Sequence, residues 1–263
     1  HPDGFRYSAF CRRYRDWTGR QRLSMRQVYT AGEKMFVDYA GLQPHLIDPT
    51  SGEVIPVELF VAVLGASNFT YAEATLTQQS ADFIASHSRA VEYFGGVSAI
   101  IVPDQLRTGV GRPCRYEPGL QRTYAEWAQH YDTVIIPARP RKPRDKAKVE
   151  AAVLVAERWI LARLRHEVFH TLGALNARIR EMLVWLNDRP MRSYGGQSRR
   201  ALFERFDRPA LRPLPTTRYE HADWRQARVN IDYHVDVEHH LYSVPHQLLG
   251  EQLDVRVTAT MID

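Results

Sequence analysis

The order of apolar runs along the chain constrains its fold most strongly. Between residues 35 and 76, three runs of apolar or alternating residues are separated by Gly, Pro and Asn: M-F-V-D-Y-A-G, V-I-P-V-E-L-F-V-A-V-L-G and F-T-Y-A-E-A-T-L. Runs of this kind, bounded by turn-forming residues, are typical of β-strands. The sequence therefore predicts a three-stranded antiparallel meander.

Helical and strand patterns alternate after this meander. Helical spacing is expected over 77–94, 119–131, about 145–166 and 172–187, and the apolar segments A-I-I-V-P and T-V-I-I-P are expected to form strands between the first three helices. Three antiparallel strands followed by two helix–strand crossovers describe a mixed sheet with helices on both faces. The fold class predicted is α/β, an RNase H-like mixed five-stranded sheet with flanking helices.

The regions outside this core have different compositions. A basic helix is expected over 5–18, and the three prolines within 208–215 indicate a stiff extended linker. Short alternating runs over 228–262 indicate a small β-barrel, and because the sequence stops at Asp263 within or just after a strand, we expect a truncated barrel. The predicted division is a basic N-terminal connector (1–33), an RNase H-like core (34–187), a Pro/Arg-rich linker (188–220) and a small β-barrel (221–263).

Composition excludes several classes of protein. No apolar run approaches the roughly 18 residues of a membrane span, and the N-terminal residues lack the apolar segment of a signal peptide. Two cysteines are too few for a disulfide framework or a cysteine-rich zinc site. We therefore expect no membrane association and a reducing compartment, and the missing initiator Met indicates a trimmed start.

Basic residues are concentrated in two segments. The chain has 35 Lys and Arg against 30 Asp and Glu, a net charge of +5, so the local clusters matter more than the total. The candidate phosphate contacts are Arg12, Arg13, Arg15, Arg20, Arg22 and Arg26 in the first segment and Arg139, Arg141, Lys142, Arg144, Lys146 and Lys148 in the second. A phosphate backbone is the natural partner; the alternative is a solvated charged surface.

Three acidic residues stand where a core or a site is expected. Asp38 interrupts an otherwise apolar strand, Asp104 directly follows A-I-I-V-P, and Glu150 lies in the helix after the second basic segment. Each has an ordinary alternative, as a turn aspartate or a solvent-facing glutamate. The predicted topology makes the first and fourth strands neighbours, so the three carboxylates would converge. Converging carboxylates repel one another unless cations lie between them, and hard divalent ions fit best.

These residues carry a resemblance to a known family. The stretches G-E-K-M-F-V-D-Y-A-G, P-D-Q-L-R-T-G-V and P-R-K-P-R-D-K-A-K-V-E resemble, in this order, the catalytic core of IstA-type bacterial insertion-sequence transposases, within the DDE transposase and retroviral-integrase superfamily. The resemblance covers about residues 5–260. It implies that Asp38, Asp104 and Glu150 are the catalytic residues and bind two Mg²⁺ ions, for which Mn²⁺ can substitute.

The resemblance also implies partners and a setting. It implies double-stranded DNA as element ends and target, an AAA+ ATPase helper protein, a homo-oligomer of at least two copies, and a bacterial, nucleoid-associated location in the cytoplasm. Retroviral integrases carry basic residues one and two turns after their glutamate, where this chain has Leu154 and Glu157. Lys146, one turn before Glu150, is therefore the candidate phosphate contact, with a solvent-facing lysine as the alternative.

The function predicted is a DNA transposase that cuts phosphodiesters at element ends and joins the freed 3′-hydroxyl to target DNA. The alternatives are a non-catalytic DNA-binding or assembly protein that retains the fold, and a metal-dependent nuclease without strand transfer.

Other residues that could belong to a functional site have simpler explanations. His239 and His240 are expected to be surface histidines, because no second pair of ligands at zinc-binding spacing accompanies them. The sequence has no G-x-S-x-G nucleophile elbow that would make His87 part of a hydrolase triad, and Trp127 is expected in the core.

Overall fold

The computed structural model describes residues 6–20, 28–103, 122–138 and 143–263; for 19–20 and 143–147 it describes the backbone alone. The strands up to residue 135 are β1 (Lys34–Tyr39), β2 (His45–Ile47), β3 (Val54–Pro56), β4 (Glu58–Leu64), β5 (Thr70–Thr75), β6 (Ile100–Pro103) and β7 (Val134–Ile135). The helices are α1 (Tyr7–Arg20), α2 (Ser80–Phe94), α3 (Arg122–His130), α4 (Pro143–Ala156), α5 (Ala162–Leu164), α6 (Leu172–Asp188) and α7 (Arg199–Leu202).

Five of these strands form the central sheet, in the order β5-β4-β1-β6-β7. Strand β4 runs antiparallel to both β1 and β5, whereas β6 runs parallel to both β1 and β7. This mixed sheet confirms the predicted RNase H-like topology. The first and fourth strands of the predicted core are neighbours in it, with Val37 opposite Pro103.

The second predicted strand is divided. Residues of Val54–Pro56 pair with His45–Ile47 in a separate two-stranded ribbon, and only Glu58–Leu64 enters the central sheet. Pro56 explains the division, because proline has no backbone N–H to donate within a sheet interior. The prediction of one continuous strand was therefore wrong at its N-terminal end, and a hairpin lies between the first two strands of the sheet.

The helix expected over 145–166 contains an irregularity. Helix α4 ends at Ala156, a π-helical turn follows over Glu157–Leu161, and α5 ends the segment at Leu164. Helix α6 then begins after Thr171, whose hydroxyl accepts a hydrogen bond from the backbone N–H of Ala174 at 3.1 Å.

Among the described residues, none of the helices has the length and apolar character needed to cross a bilayer.

Two asparagines of α6 cover the outer edge of the sheet at β5. The Asn187 side chain accepts from the Thr70 N–H at 3.1 Å and donates to the Thr70 carbonyl at 2.8 Å. Asn176 makes the same pair of bonds with Ala74, at 2.6 and 2.9 Å. An edge strand presents unpaired backbone N–H and carbonyl groups. The two asparagine side chains bond to these groups at Thr70 and Ala74.

A hydrogen-bonded aromatic cluster lies between α2 and α3. His87 is fully buried; its Nδ1 lies 2.8 Å from the Phe83 carbonyl oxygen and its Nε2 lies 2.9 Å from the Tyr124 hydroxyl. Trp127 is also fully buried and donates to the Ser88 hydroxyl at 3.0 Å. These contacts confirm Trp127 as a core residue and place His87 in the core as well.

Burial of His87 predicts a dependence of stability on pH. Burial disfavours the charged imidazole and lowers its pKa from 6.5 to about 4, so the folded protein keeps His87 neutral where the unfolded chain protonates it. The free energy of unfolding should be unaffected by this group above pH 6.5 and fall by up to roughly 3 kcal/mol as the pH drops to about 4. Denaturant unfolding at several pH values measures this, and His87→Gln should reduce the proton uptake on unfolding by about one.

The segment after α6 packs on the core, which corrects the expectation of an extended linker over 208–215. Buried Asp207 accepts from the backbone N–H of Gly32 at 2.8 Å and of Ser67 at 2.9 Å. Arg212 forms an isolated antiparallel bridge with Val97. Gly32 has φ +67°, and a Cβ there would lie 2.4 Å from the Ala210 carbonyl oxygen, so this close approach requires glycine.

The predicted C-terminal strands are present. They are β8 (Asp223–Arg228), β9 (His234–Val237), β10 (His240–Ser243) and β11 (Gln252–Val257). They pair as β8 with β11 and β9 with β10, both antiparallel, around a small core of Val229, Val235, Val237 and Val255. His239 lies in the turn between β9 and β10, exposed and with φ +66°, as expected for a surface histidine.

This C-terminal unit is docked on α3. The Glu126 carboxylate accepts from the Tyr219 hydroxyl at 3.0 Å, from Trp224 Nε1 at 3.3 Å and from Arg256 Nε at 2.5 Å. One turn before Glu126, the Arg122 guanidinium lies 3.5 Å from the centre of the Trp224 ring. The core and the C-terminal strands are therefore joined by charged and aromatic contacts centred on one glutamate.

Candidate active site

Asp38 lies near the end of β1, the central strand of the sheet. It is half-buried, and its Oδ1 accepts a hydrogen bond from the backbone N–H of Tyr39 at 2.8 Å. The three residues before it, Met35 to Val37, are buried in the core. The carboxylate thus borders the apolar core without being fully buried, which reduces the cost of placing its charge among apolar neighbours in the sequence.

The neighbouring strand leads toward the same end of the sheet. Because β6 is parallel to β1 with Pro103 opposite Val37, the two strands leave the sheet side by side. Asp104 follows Pro103 in the sequence and lies outside the described residues. Carboxyl ends of parallel strands are where open α/β sheets place their ligands, and the observed register brings Asp38 to this end.

Glu150 lies on α4 and is exposed. The helix packs across β1 and β4 through buried residues such as Val149 and Val153. Successive residues of a helix are about 100° apart, so Glu150 lies about 60° from Val153 and about 100° from Val149, beside the buried face of α4. The structure thus brings the helix of Glu150 over the strand of Asp38.

Glu157 was not predicted to have a role, but it connects two parts of the site. Its Oε1 accepts a hydrogen bond from the backbone N–H of Leu42 at 3.3 Å. This contact joins the loop that follows β1 to the helical segment two turns beyond Glu150. A partner 115 residues away in the sequence leaves no signal in local patterns.

The described carboxylates do not by themselves form a metal site. Within the described ranges, no group of three or more His, Cys, Asp or Glu side chains is close enough together to hold a metal ion. Asp38 and Glu150 are described, whereas the third predicted ligand, Asp104, is not. The predicted triad therefore stays a prediction.

Lys148 lies in a different environment from Glu150. Its ammonium is half-buried, 4.7 Å from the centre of the Tyr29 ring. Its pKa is lowered to about 8, mainly because burial disfavours the charged ammonium; the negative charge of Asp207 opposes this shift, and the positive charge of Arg199 adds to it. Two residues along a helix correspond to a rotation of about 200°, so Lys148 and Glu150 lie on opposite sides of α4.

The other predicted DNA contacts are distributed as follows. Arg12, Arg13 and Arg15 are exposed on α1, Arg20 is the last residue of that helix, and Arg144 and Lys146 lie in the first turn of α4. The predicted contacts outside the described residues are Arg22, Arg26, Arg139, Arg141 and Lys142. Contact with DNA stays a prediction for all of them.

Known proteins similar to this chain are transposases. A protein of Burkholderia multivorans assigned as the transposase of insertion sequence IS408 is 50% identical over 254 residues, covering 97% of this chain and 49% of its own length. A protein of Pseudomonas fluorescens assigned as the transposase of IS1162 is 49% identical over 265 residues, covering 100% of this chain and 47% of its own length. The chain is a homologue of insertion-sequence transposases. This homologue spans about half the length of the curated relatives it matches.

Two further findings concern parts of the transposase homologue. Residues 214–263 match the family model of the Mu transposase C-terminal domain, which corresponds to the docked C-terminal strands. A chain of the simian T-cell lymphotropic virus intasome, determined by cryo-electron microscopy in complex with PP2A regulatory subunit B56 gamma, has a similar fold. Its TM-score is 0.53 at 14% identity, covering 78% of this chain and 66% of that chain.

Proposed function

We propose that this transposase homologue carries the catalytic core of a DNA strand transferase. The observation that supports it best is the parallel register of β1 and β6, with Val37 opposite Pro103 and α4 packed across β1. Asp38 is the next residue on one strand and Asp104 follows the other in the sequence. Asp38, Asp104 and Glu150 are proposed as the catalytic carboxylates.

The chemistry of these side chains fits Mg²⁺. The described carboxylates are hard oxygen donors; Asp38 is half-buried and Glu150 is exposed. Mg²⁺ prefers a few carboxylates together with waters and substrate phosphates over an all-protein cage. We propose that the three carboxylates hold two Mg²⁺ ions, or Mn²⁺ in their place. When bound, such ions activate an attacking oxygen and stabilise a leaving one.

The proposed reaction has two steps. Water attacks the phosphorus of the phosphodiester at the element end, and the bond from phosphorus to the element's O3′ breaks, which frees a 3′-hydroxyl on the element and leaves a 5′-phosphate on the flanking DNA. That hydroxyl then attacks the phosphorus of a target phosphodiester; a new P–O3′ bond to the element forms, and the target strand is cut with release of its own 3′-hydroxyl. Both steps are in-line displacements that depend on positioning and charge stabilisation. Asp38, on a rigid central strand, and Glu150, on a packed helix, are suited to fixed positioning.

The whole protein's partners are proposals of the same kind. We propose that it binds double-stranded DNA at element ends and targets, works as a homo-oligomer with an AAA+ ATPase helper, and acts on DNA of the bacterial nucleoid. The division into connector (1–33), core (34–187), linker (188–220) and C-terminal unit (221–263) is proposed for the same protein. Residues 208–214 belong structurally with the core surface.

The test is a product assay. Full-length protein is incubated in Mg²⁺ with a labelled element end and an unlabelled target plasmid, and products are separated on a denaturing gel. The proposal expects label joined to target DNA. Cut ends without joining would favour a nuclease, and stable DNA binding without either product would favour an assembly protein.

The basic segment that leads into α4 should determine much of the salt dependence of DNA binding. Arg141 and Lys142 lie between Pro140 and Pro143 in the sequence, and Arg144 follows in the first turn of α4. Replacing all three with alanine should weaken binding to every duplex similarly and reduce the slope of log K against log salt by up to about 0.9 per lost contact. Fluorescence anisotropy between 50 and 200 mM salt measures the slope, and an unchanged slope would make the segment a solvated connector.

A further inference from the structure

Two tryptophans and two arginines are stacked against one another where the segment from α4 to α5 meets α6. Trp159 lies in the π-helical turn and Trp185 lies on α6, with their ring centres 5.5 Å apart. The Arg163 guanidinium carbon lies 3.8 Å from the centre of the Trp185 ring, and that of Arg189 lies 3.6 Å from the centre of the Trp159 ring. These four side chains are here called the stacked arginine cluster.

Stacking fixes the orientation of both guanidinium groups. Each lies between 3.6 and 5.8 Å from both ring centres, within the range of cation–π attraction. A guanidinium stacked on an aromatic face keeps the N–H groups along its edge free to donate. Arg163 is exposed, and Arg189 and the two tryptophans are half-buried. The cluster therefore holds hydrogen-bond donors in fixed positions at the surface.

The positive charge of this region exceeds the acidic charge that is available to balance it. Residues 158–200 contain nine arginines, no lysine and three acidic residues. All three acidic side chains already form ion pairs with arginines of the same region: Glu167 and Glu181 with Arg178, and Asp188 with Arg200. In the described part of the chain, no carboxylate forms an ion pair with Arg163 or Arg189. The cluster therefore carries positive charge that no described carboxylate neutralises.

Arg199 extends this positive charge toward α4. Its guanidinium donates to the Leu186 carbonyl at 3.2 Å, at the end of α6. Burial, and then the positive charge of Arg189, lower the pKa of Arg199, as expected when two cations lie close together. The charge of Arg199 also contributes to the lowered pKa of Lys148. Lys148 belongs to the basic segment that leads into α4, so the stacked arginine cluster continues that segment across the helices.

We propose that the stacked arginine cluster binds the phosphate backbone of duplex DNA. The inference rests on the proposed function, which supplies DNA as the anionic partner. A guanidinium donates to two phosphate oxygens at once, and this geometry favours arginine for phosphate contacts. Duplex DNA is favoured over an acidic protein surface because the cluster continues the basic segment beside the candidate active site.

The cluster and Glu150 lie on one helical segment. Trp159 follows Glu150 by nine residues, which is about 14 Å along the axis and on a different side of the helix. A duplex carries about one negative charge per 1.7 Å of its axis, so DNA that reaches Glu150 presents several phosphates over this distance. The cluster therefore holds a part of the DNA other than the phosphodiester that is cut.

The salt dependence of DNA binding by the full chain tests the cluster. Arg163→Gln combined with Arg189→Gln should reduce the slope of log K against log salt by up to about 1.8 for a duplex of arbitrary sequence, or about 0.9 per lost contact. The matched control combines Arg178→Gln with Arg200→Gln. It removes the same net charge from arginines that are already paired and should leave the slope unchanged. Arg163→Lys combined with Arg189→Lys keeps both charges and should restore the slope.

Chemical modification provides a measurement on the unsubstituted chain. Phenylglyoxal reacts with accessible guanidinium groups, and mass spectrometry locates the modified arginines. A bound duplex should protect Arg163 and Arg189. Arg180 is the internal control, because it is exposed on α6 and lies about 140° from Trp185 around the helix axis; it should stay reactive. Polyaspartate serves as a second anionic probe.

Several results would overturn the inference. An equal loss of slope in the control pair would attribute the effect to net charge alone. An unchanged slope in the Arg163 and Arg189 glutamine variant, or full reactivity of both arginines in the DNA complex, would reduce the stacking to a packing feature. Protection by polyaspartate and not by the duplex would assign the cluster to an acidic protein surface. These results leave the proposed function standing if the wild-type chain binds the duplex, whereas a wild-type chain that binds no duplex would contradict both.

Discussion

Glu150→Gln, Asp38→Asn and Asp104→Asn are each expected to abolish joining of an element end to target DNA, with a loss of about 10²–10³-fold or more. Each amide keeps the shape of the side chain but removes the negative charge that the proposed divalent ions require. DNA affinity should change by no more than about twofold, because phosphate contacts to basic residues dominate it. The measurement is the gel assay of joined product with the full-length protein, alongside anisotropy for binding.

Glu181→Gln provides a matched control for these variants. Glu181 is an exposed glutamate on α6 that pairs with Arg178 at 2.5 Å, and such surface pairs contribute little to stability. Its substitution should leave joining unchanged. Joining at the wild-type rate by any one of the three carboxylate variants would remove that residue from the catalytic set.

Asn187→Leu is expected to lower the free energy of unfolding by about 3–5 kcal/mol. Asn187 is fully buried and satisfies both backbone groups of Thr70, and it also donates to the Tyr93 hydroxyl at 3.1 Å. Leucine has a similar volume but no polar atoms, so the Thr70 N–H and carbonyl are left buried without partners. Urea unfolding followed by circular dichroism measures the change.

Asn176→Leu is the comparison for this result. Asn176 makes the same two bonds with Ala74 but is only half-buried, so water can replace part of what is lost. A smaller decrease, about 1–2 kcal/mol, is expected there. Equal effects at the two positions would show that burial of the edge does not determine the loss.

The central sheet was predictable from the sequence because its signals are local. The apolar runs ending in Leu64, Thr75 and Pro103 give the strands, and their order gives the topology. The hairpin at His45–Ile47 was missed because Val54–Pro56 continues an apolar run into Glu58–Leu64. The packing of 208–214 was missed because prolines favour extended chain whether or not it is docked, and the anchor is one buried carboxylate, Asp207.

The candidate site was predictable in part. Asp38 can be recognised without any knowledge of the fold, because it is a charged residue in an otherwise apolar strand. The residue that follows β6 becomes a candidate because β6 pairs in parallel with β1. The environment of Lys148 could not be predicted, because the Tyr29 ring that covers it is 119 residues away in the sequence. The hydrogen bond from the Leu42 N–H to Glu157 likewise joins segments that are far apart in the sequence.

The asparagines that cover β5 also limit how copies of the chain can assemble. At that edge the backbone groups of Thr70 and Ala74 are already occupied. At the opposite edge, β7 has only two residues and is followed by Pro137, which has no N–H to offer. Neither border of the described sheet is suited to growth by adding a neighbour's strand. If copies of this chain associate as proposed, we therefore expect their contacts to involve helices and loops and not the edges of the sheet.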